Sequence, residues 1–192
     1  MTSETQSRVT LYDSEELEAV IAAMARRAAA SISGVDHVAV IGIRRRGAPL
    51  ADRLCTHLSS THGLPPPLRI DLDIKRYADD LSLLFPQTRL TEDPQQARID
   101  LRGHSVVLVD DVLYTGHSLL TAVEHLQHRE PACIHVAVLA DRCVARLPVH
   151  ADIVGVALQV APDDIVECRV PPFEPVFGID LLRKGSAAAH RV

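Results

Sequence analysis

Tryptophan is absent from the 192 residues, and aromatic side chains of all kinds make up only 3%. A core must therefore be aliphatic, drawn from the Val, Leu, Ile and Ala that dominate a 47% hydrophobic fraction. That composition suits buried parallel strands covered by helices. No apolar run approaches the roughly 18 residues of a membrane span. The opening residues MTSETQSRVT lack the apolar stretch of a secretory signal. A cytoplasmic chain with no membrane partner is the expectation. Cysteine is sparse: Cys55, Cys133, Cys143 and Cys168 stand far apart with no C-x-x-C pair. They read as free thiols of a reducing compartment. Positive charge is not in excess either, with 20 Lys and Arg against 25 Asp and Glu and a net charge of −5. This argues against broad nucleic-acid affinity, which needs many cations on phosphates. Internal repeats and linkers are missing, so residues 1–192 read as one domain, with a core over about 11–158 and an extended C-terminal tail. Two nucleotide signatures are also missing: the Walker pattern G-x-x-x-x-G-K-[ST], and G-x-G-x-x-G after a strand.

What the chain does contain is an alternation of short apolar strands and amphipathic helices. Asp13–Ser31 has Leu17, Val20, Ile21 and Met24 at helical spacing, with Asp13 and Glu16 placed as a capping box. His37–Ile43 is a β-branched apolar strand. Pro49 opens a second helix with Leu50, Leu54 and Leu58 on one face. Leu68–Ile74 alternates like a strand with one polar face. Residues 78–98 have no stable period, as a functional loop would. Further buried strands are expected at Ser105–Val109, Ile134–Leu139 and Ile153–Leu158, with a helix at His117–His128. Glu124, His125 and His128 on that helix read as a wet outer face rather than a metal triad. The pattern predicts an α/β fold with a mostly parallel sheet and helices on both faces.

The densest chemistry lies in Val106–Ser118, VVLVDDVLYTGHS. An apolar strand leads to Asp110 and Asp111, and a turn with Thr115, Gly116 and Ser118 runs into a helix. Carboxyl ends of parallel strands are where α/β sheets bind ligands. A helix start with free N–H groups, a Gly and two hydroxyls makes an anion cradle. Two carboxylates beside an anion make sense if the ligand also carries a diol or a metal, because carboxylates accept O–H groups and hold Mg²⁺. A phosphate, a vicinal diol and a Mg²⁺-bound diphosphate occur together in 5-phosphoribosyl 1-diphosphate (PRPP). The plainer alternative is an Asp–Asp turn with Thr and Ser as helix caps, which does not require so many polar groups.

This segment resembles the phosphoribosyl motif of the type I phosphoribosyltransferases. It is closest to the PyrR family of pyrimidine operon regulators and uracil phosphoribosyltransferases. IGIRRRGAPLADRL (41–54), LDIKRYADDLS (72–82) and ADRCVARLPVHADIVG (140–155) resemble further segments of that family in the same order. The resemblance implies the type I fold with a mobile catalytic loop, Mg²⁺ as cofactor, PRPP and uracil or UMP as ligands, and a homo-oligomer. Asp110 and Asp111 match its ribose and metal carboxylates. Thr115, Gly116 and Ser118 match its 5′-phosphate turn; Tyr114 and His117 lie in the same segment and count with the substrate-binding residues, Tyr114 either shaping the turn or merely packing. Arg45, Arg46 and Gly47 match its diphosphate loop, with Arg46 counted as catalytic. Asp79 and Asp80 match the acids before the mobile loop, and Asp141 and Arg142 the edge of the base.

Some positions depart from the family. His117 and Ser118 stand where the motif continues with Arg and Thr, and Ala78 where an Arg precedes the two acids. Glu18, Ala22 and Ala23 replace basic residues of RNA-binding members, and GVALQVA (155–161) replaces G-K-N-x-P-T-S. The resemblance thus implies uracil phosphoribosyl transfer first. Its alternatives are a pyrimidine-nucleotide-responsive RNA-binding regulator, against which the lost cations count, and a nucleotide or PRPP sensor with little catalysis.

Overall fold

The computed structural model describes residues 7–75, 89–161 and 163–183. β1 covers Ser7–Tyr12 and leads into α1, Ser14–Ser31. The capping box forms as expected: the Glu16 N–H donates to Asp13 Oδ1 at 3.0 Å, and the Asp13 N–H to Glu16 Oε2 at 2.9 Å. β2 is Val38–Arg44, followed by α2, Gly47–Ser60. This helix starts two residues before Pro49, which the first turn tolerates because an N–H there has no helical partner anyway. β3 is Leu68–Lys75 and β4 is Arg89–Glu92, with a 3-10 turn at Gln96–Arg98. β5, Ser105–Leu113, runs four residues further than its apolar stretch suggests, carrying both aspartates inside the strand. α3 is His117–Gln127, β6 Cys133–Asp141 and β7 Ile153–Ala157.

These strands form one sheet in the order β4-β3-β2-β5-β6-β7. All neighbours are parallel except the edge pair β3–β4. Period-two alternation sends successive residues to opposite faces. Val40, Val107, Val109, Ala137 and Leu139 pack with Leu17, Ile21, Leu50 and Leu54 of α1 and α2. Ile41, Val106, Leu108 and Val138 pack on the other face with Leu119, Ala122 and Leu126 of α3. The expected helices on both faces are therefore present. Of the stretch 78–98 expected as a loop, residues 78–88 lie outside the described residues, and the remainder carries β4 and the 3-10 turn.

The C-terminal segment differs from the expected extended tail. β8, Ile165–Arg169, and β9, Gly178–Arg183, join β1 in a separate antiparallel sheet of order β1-β9-β8. Asp180 is buried within it and accepts from Arg8, Thr10 and Arg169 at 2.7–3.1 Å. β1 and β9 pair across nearly the whole chain, so no local pattern announces them.

Glu124 and His128 are exposed as expected, and His125, half-buried, turns to the edge of that face. Its Nε2 lies 2.9 Å from Glu92 Oε2, and Arg129 Nη1 donates to Glu92 Oε1 at 2.7 Å. Arg129 also donates to the carbonyls of Gln96 and Ile99. Glu92 is 4% exposed and Arg129 12%, so this cluster pins β4 to α3 away from water. Removing one partner of such a pair strands the other charge. Arg129→Ala should cost about 3 kcal/mol, read in a melting experiment as a fall in Tm of roughly 10 °C. A change within 2 °C would mean that the cluster is solvated.

Candidate active site

The strand order reverses direction between β2 and β5. From β2 the chain crosses by α2 to β3 on one side, and from β5 by α3 to β6 on the other. Such a switch point is where open α/β sheets form their ligand crevice. The pairing shows how it opens. β2 and β5 remain paired only as far as Gly42 and Val109. β2 continues along β3 to Arg44, and β5 continues along β6 to Leu113. Asp110 and Asp111 stand on the part of β5 that β2 has left, opposite the turn Arg44–Gly47.

Two glycines make that turn close. A Cβ on Gly42 would lie 2.6 Å from Ala48 Cα, and one on Gly47 would lie 2.5 Å from the Val109 carbonyl oxygen and 3.1 Å from Asp110 Cα. Only a bare backbone lets α2 begin directly against the end of β5. Gly47 therefore has a packing role in addition to the backbone approach expected of it. Arg46, the residue before the helix, is carried to the edge of the crevice. Its Nε and Nη2 bond Glu174 Oε1 at 3.1 and 2.6 Å. Arg45 stacks on Phe173, 5.0 Å from the ring centroid. Arg44 pairs with Asp71 at 3.5 Å.

Asp110 is 9% exposed and Asp111 partly exposed. Asp110 Oδ1 accepts the Asp111 N–H, and Asp111 Oδ1 the Val112 N–H, both at 2.9 Å. Burial, and then the neighbouring Asp111 charge, hold the Asp110 carboxyl well above the usual carboxylate range. Burial raises Asp111 as well, with Arg46 pulling against it. Two buried like charges, opposed mainly by one guanidinium, form a place that favours added positive charge. The thiol of Cys168, on β8, donates to the Asp111 carbonyl at 3.8 Å, so the second sheet lies over this end of β5. Burial, and then Asp111, push that thiol far above its ordinary pKa.

The turn after β5 ends in a left-handed glycine and an uncapped helix start. Gly116 adopts φ +88° and precedes α3 with no side chain capping the helix. That conformation favours glycine, and the uncapped N-terminus presents backbone N–H groups. His117 Nδ1 lies 2.9 Å from Thr115 Oγ1. When Nδ1 carries the proton, Thr115 keeps its own O–H for a phosphate oxygen. Ser118 sits in the first turn of α3, partly exposed.

Asp141 and Arg142, expected at the edge of the base, make contacts within the protein. Arg142 is 3% exposed, its guanidinium 4.3 Å from the Tyr114 ring centroid. Its Nη2 donates to the Asp164 carbonyl at 2.8 Å. Asp141 Oδ1 accepts the Cys143 N–H at 2.7 Å. The stack occupies Tyr114 too, so this trio braces the turn before α3 and the segment beyond β7. Asp79, Asp80 and Ala78 lie outside the described residues. Glu174 and Phe173 are the residues that sequence reasoning missed. They stand in a proline-rich stretch, far in sequence from the arginines they meet.

Residues 7–174 match the phosphoribosyl transferase domain family. The chain is 37% identical to the bifunctional protein PyrR of Deinococcus radiodurans over 86% of its own length and 90% of that protein's. It is 38% identical to the PyrR of Roseiflexus sp. (strain RS-1), over 83% and 86% of the two chains. It belongs to the PyrR family of phosphoribosyltransferases. Among solved structures, hypoxanthine phosphoribosyltransferase from Trypanosoma cruzi superposes with a TM-score of 0.74 at 23% identity, covering 95% of each chain. The same enzyme with its product IMP gives 0.71 at 21% identity, covering 95% of this chain and 92% of that one. Those likenesses show the type I fold, and the PyrR relatives show the branch within it.

Proposed function

We propose that the chain transfers phosphoribose from PRPP to uracil, giving UMP and diphosphate. The observation that carries this reading is the crevice at the switch point. It sets a buried carboxylate pair between an uncapped helix start and an arginine turn, one region for each part of PRPP. Thr115, Gly116, Ser118 and the first N–H groups of α3 bind the 5′-phosphate, with His117 fixing the Thr115 hydroxyl. Asp110 and Asp111 accept the ribose hydroxyls and favour positive charge on the ring as the bond from C1 to diphosphate breaks. Arg45, Arg46 and Gly47 receive the departing diphosphate. N1 of uracil bonds to C1 as the bond to diphosphate breaks, and the N1 proton passes to the departing diphosphate or to solvent. Asp79 and Asp80 are assigned to the closing loop, and Asp141 and Arg142 to the support of the base edge.

Among the described residues no three His, Cys, Asp or Glu side chains could together hold a metal. Two adjacent carboxylates nevertheless fit Mg²⁺, which commonly binds one or two carboxylates together with substrate phosphates. Asp110 and Asp111 would hold it, and it would supply charge neutralisation for the diphosphate leaving group.

The test is to incubate the protein with Mg²⁺ and PRPP and, separately, uracil, cytosine, hypoxanthine and guanine, and to assay nucleotide and diphosphate. UMP formation from uracil is expected, and a chelator should abolish it. Turnover only with a purine would refute the uracil assignment. PRPP binding without turnover on any base would leave a sensor. An RNA-binding role is disfavoured by the acidic Glu18, which forms an ion pair with Arg53.

A further inference from the structure

Arg46 does not stand alone at the crevice. Its guanidinium is held along the Nε–Nη2 edge by one oxygen of Glu174, a residue 128 positions later in the turn between β8 and β9. Both side chains are largely covered, at 19% and 18% exposure. The other oxygen of Glu174 accepts the Val170 N–H at 2.7 Å, inside the same turn. Phe173, the neighbour of Glu174, lies under the guanidinium of Arg45. One turn of the antiparallel sheet thus contacts both Arg46, whose charge acts on Asp111, and its neighbour Arg45.

We propose that Glu174 is a positioning residue for the transfer reaction, holding the Arg46 guanidinium in the orientation that receives the diphosphate of PRPP. The proposal rests on reading Arg44–Gly47 as the diphosphate turn. Arginine is long and rotamer-rich, and a ligand that had to order it would bind more weakly. Here the ordering is completed on folding.

A rival role has the opposite sign. Glu174 could act as a resident anion that the diphosphate must displace. The anchoring argues for the bracket, because the Val170 N–H fixes the carboxylate within its own turn, independently of Arg46. Glu174 also remains ionised. Burial alone would raise its pKa, but the Arg46 contact and the Val170 N–H bring it below the usual range.

The experiment compares wild type, Glu174→Ala, Glu174→Gln and Glu174→Asp. It measures calorimetric binding of Mg²⁺-diphosphate and of ribose 5-phosphate, together with kcat and the KM for PRPP. For Glu174→Ala, diphosphate binding should weaken about tenfold and the KM for PRPP should rise in step. Ribose 5-phosphate, which does not reach Arg46, should bind as to wild type. Glu174→Gln keeps an acceptor oxygen and should stay within about threefold of wild type. Glu174→Asp withdraws the carboxylate by one methylene and should weaken diphosphate binding about threefold or more even if the alanine variant fails to fold. Diphosphate binding that is tighter or unchanged in Glu174→Ala, or in Glu174→Asp if only that variant folds, overturns the bracket. Equal weakening of both ligands also overturns it, since that reports a general loss of structure. Wild type that binds neither diphosphate nor PRPP refutes instead the functional reading on which the bracket rests.

Discussion

Asp110→Asn should reduce kcat/KM for phosphoribosyl transfer at least a hundredfold and at the same time raise the melting temperature. The first effect follows from the loss of a charge that acts on a developing cation and on a metal, for which a loss of about 3 kcal/mol is typical. The second follows from burial. The carboxyl is almost covered and shares its surroundings with Asp111, so ionising it works against the fold. Asparagine keeps the shape and the oxygen that accepts the Asp111 N–H. The pH dependence has a definite sign. A carboxyl whose folded pKa is raised contributes stability below the ordinary carboxylate pKa, and that stability is lost as pH rises through the folded value. Ligand-free wild type should therefore lose stability from the ordinary carboxylate range upward, and Asp110→Asn should lack this part of the slope. Thermal melts across pH check the stability half, and initial rates the activity half. A variant that is less stable and equally active would show the carboxylate to be structural.

Gly47→Ala should be nearly as damaging for a different reason. The new methyl would lie 2.5 Å from the Val109 carbonyl oxygen, and that contact is backbone, which cannot swing aside. α2 must move off β5, taking Arg45 and Arg46 with it. Overpacking of this kind costs about 1–3 kcal/mol, or roughly 5 °C in Tm for a chain of this size. Displacing the arginines by about 1 Å is enough for a hundredfold loss of rate. Gly42→Ala, which meets Ala48 Cα at 2.6 Å, should behave alike. Wild-type rates in either variant would show that the helix start has room.

Val106–Ser118 was legible because everything that defines it is local: an apolar strand, two acids, a Gly and a helix start within thirteen residues. α1 was equally plain, down to its capping box. What stayed hidden depends on partners far apart. Arg142 reads as a cation near a base, yet its contacts are the Tyr114 ring and the Asp164 carbonyl, which only packing reveals. The pairing of His125 with Glu92 joins a helix to an edge strand inside a stretch without period. β1 gives little alternation because most of its residues are exposed, and β8 and β9 follow prolines that suggest an irregular tail. The contact of Arg46 with Glu174 crosses 128 residues, and no spacing rule reaches that far.

The sheet of β1, β9 and β8 has a further consequence, for the order of events during synthesis. Arg8 and Asp180, which meet within it, are 172 residues apart in the chain. β1 leaves the ribosome early and has no partner until β9 has followed. Within the larger sheet, by contrast, most neighbours are joined by a single helix or loop. Closing so long a loop adds little entropy beyond that of a shorter one, because the penalty grows only with the logarithm of length. It nonetheless places this step last. Phe173 and Glu174 belong to that late piece, so a nascent chain holds its parallel sheet and its carboxylate pair before these two residues reach Arg45 and Arg46. Competence for phosphoribosyl transfer should then be acquired only once β9 has been made, leaving a chain that stops short of it unable to consume PRPP.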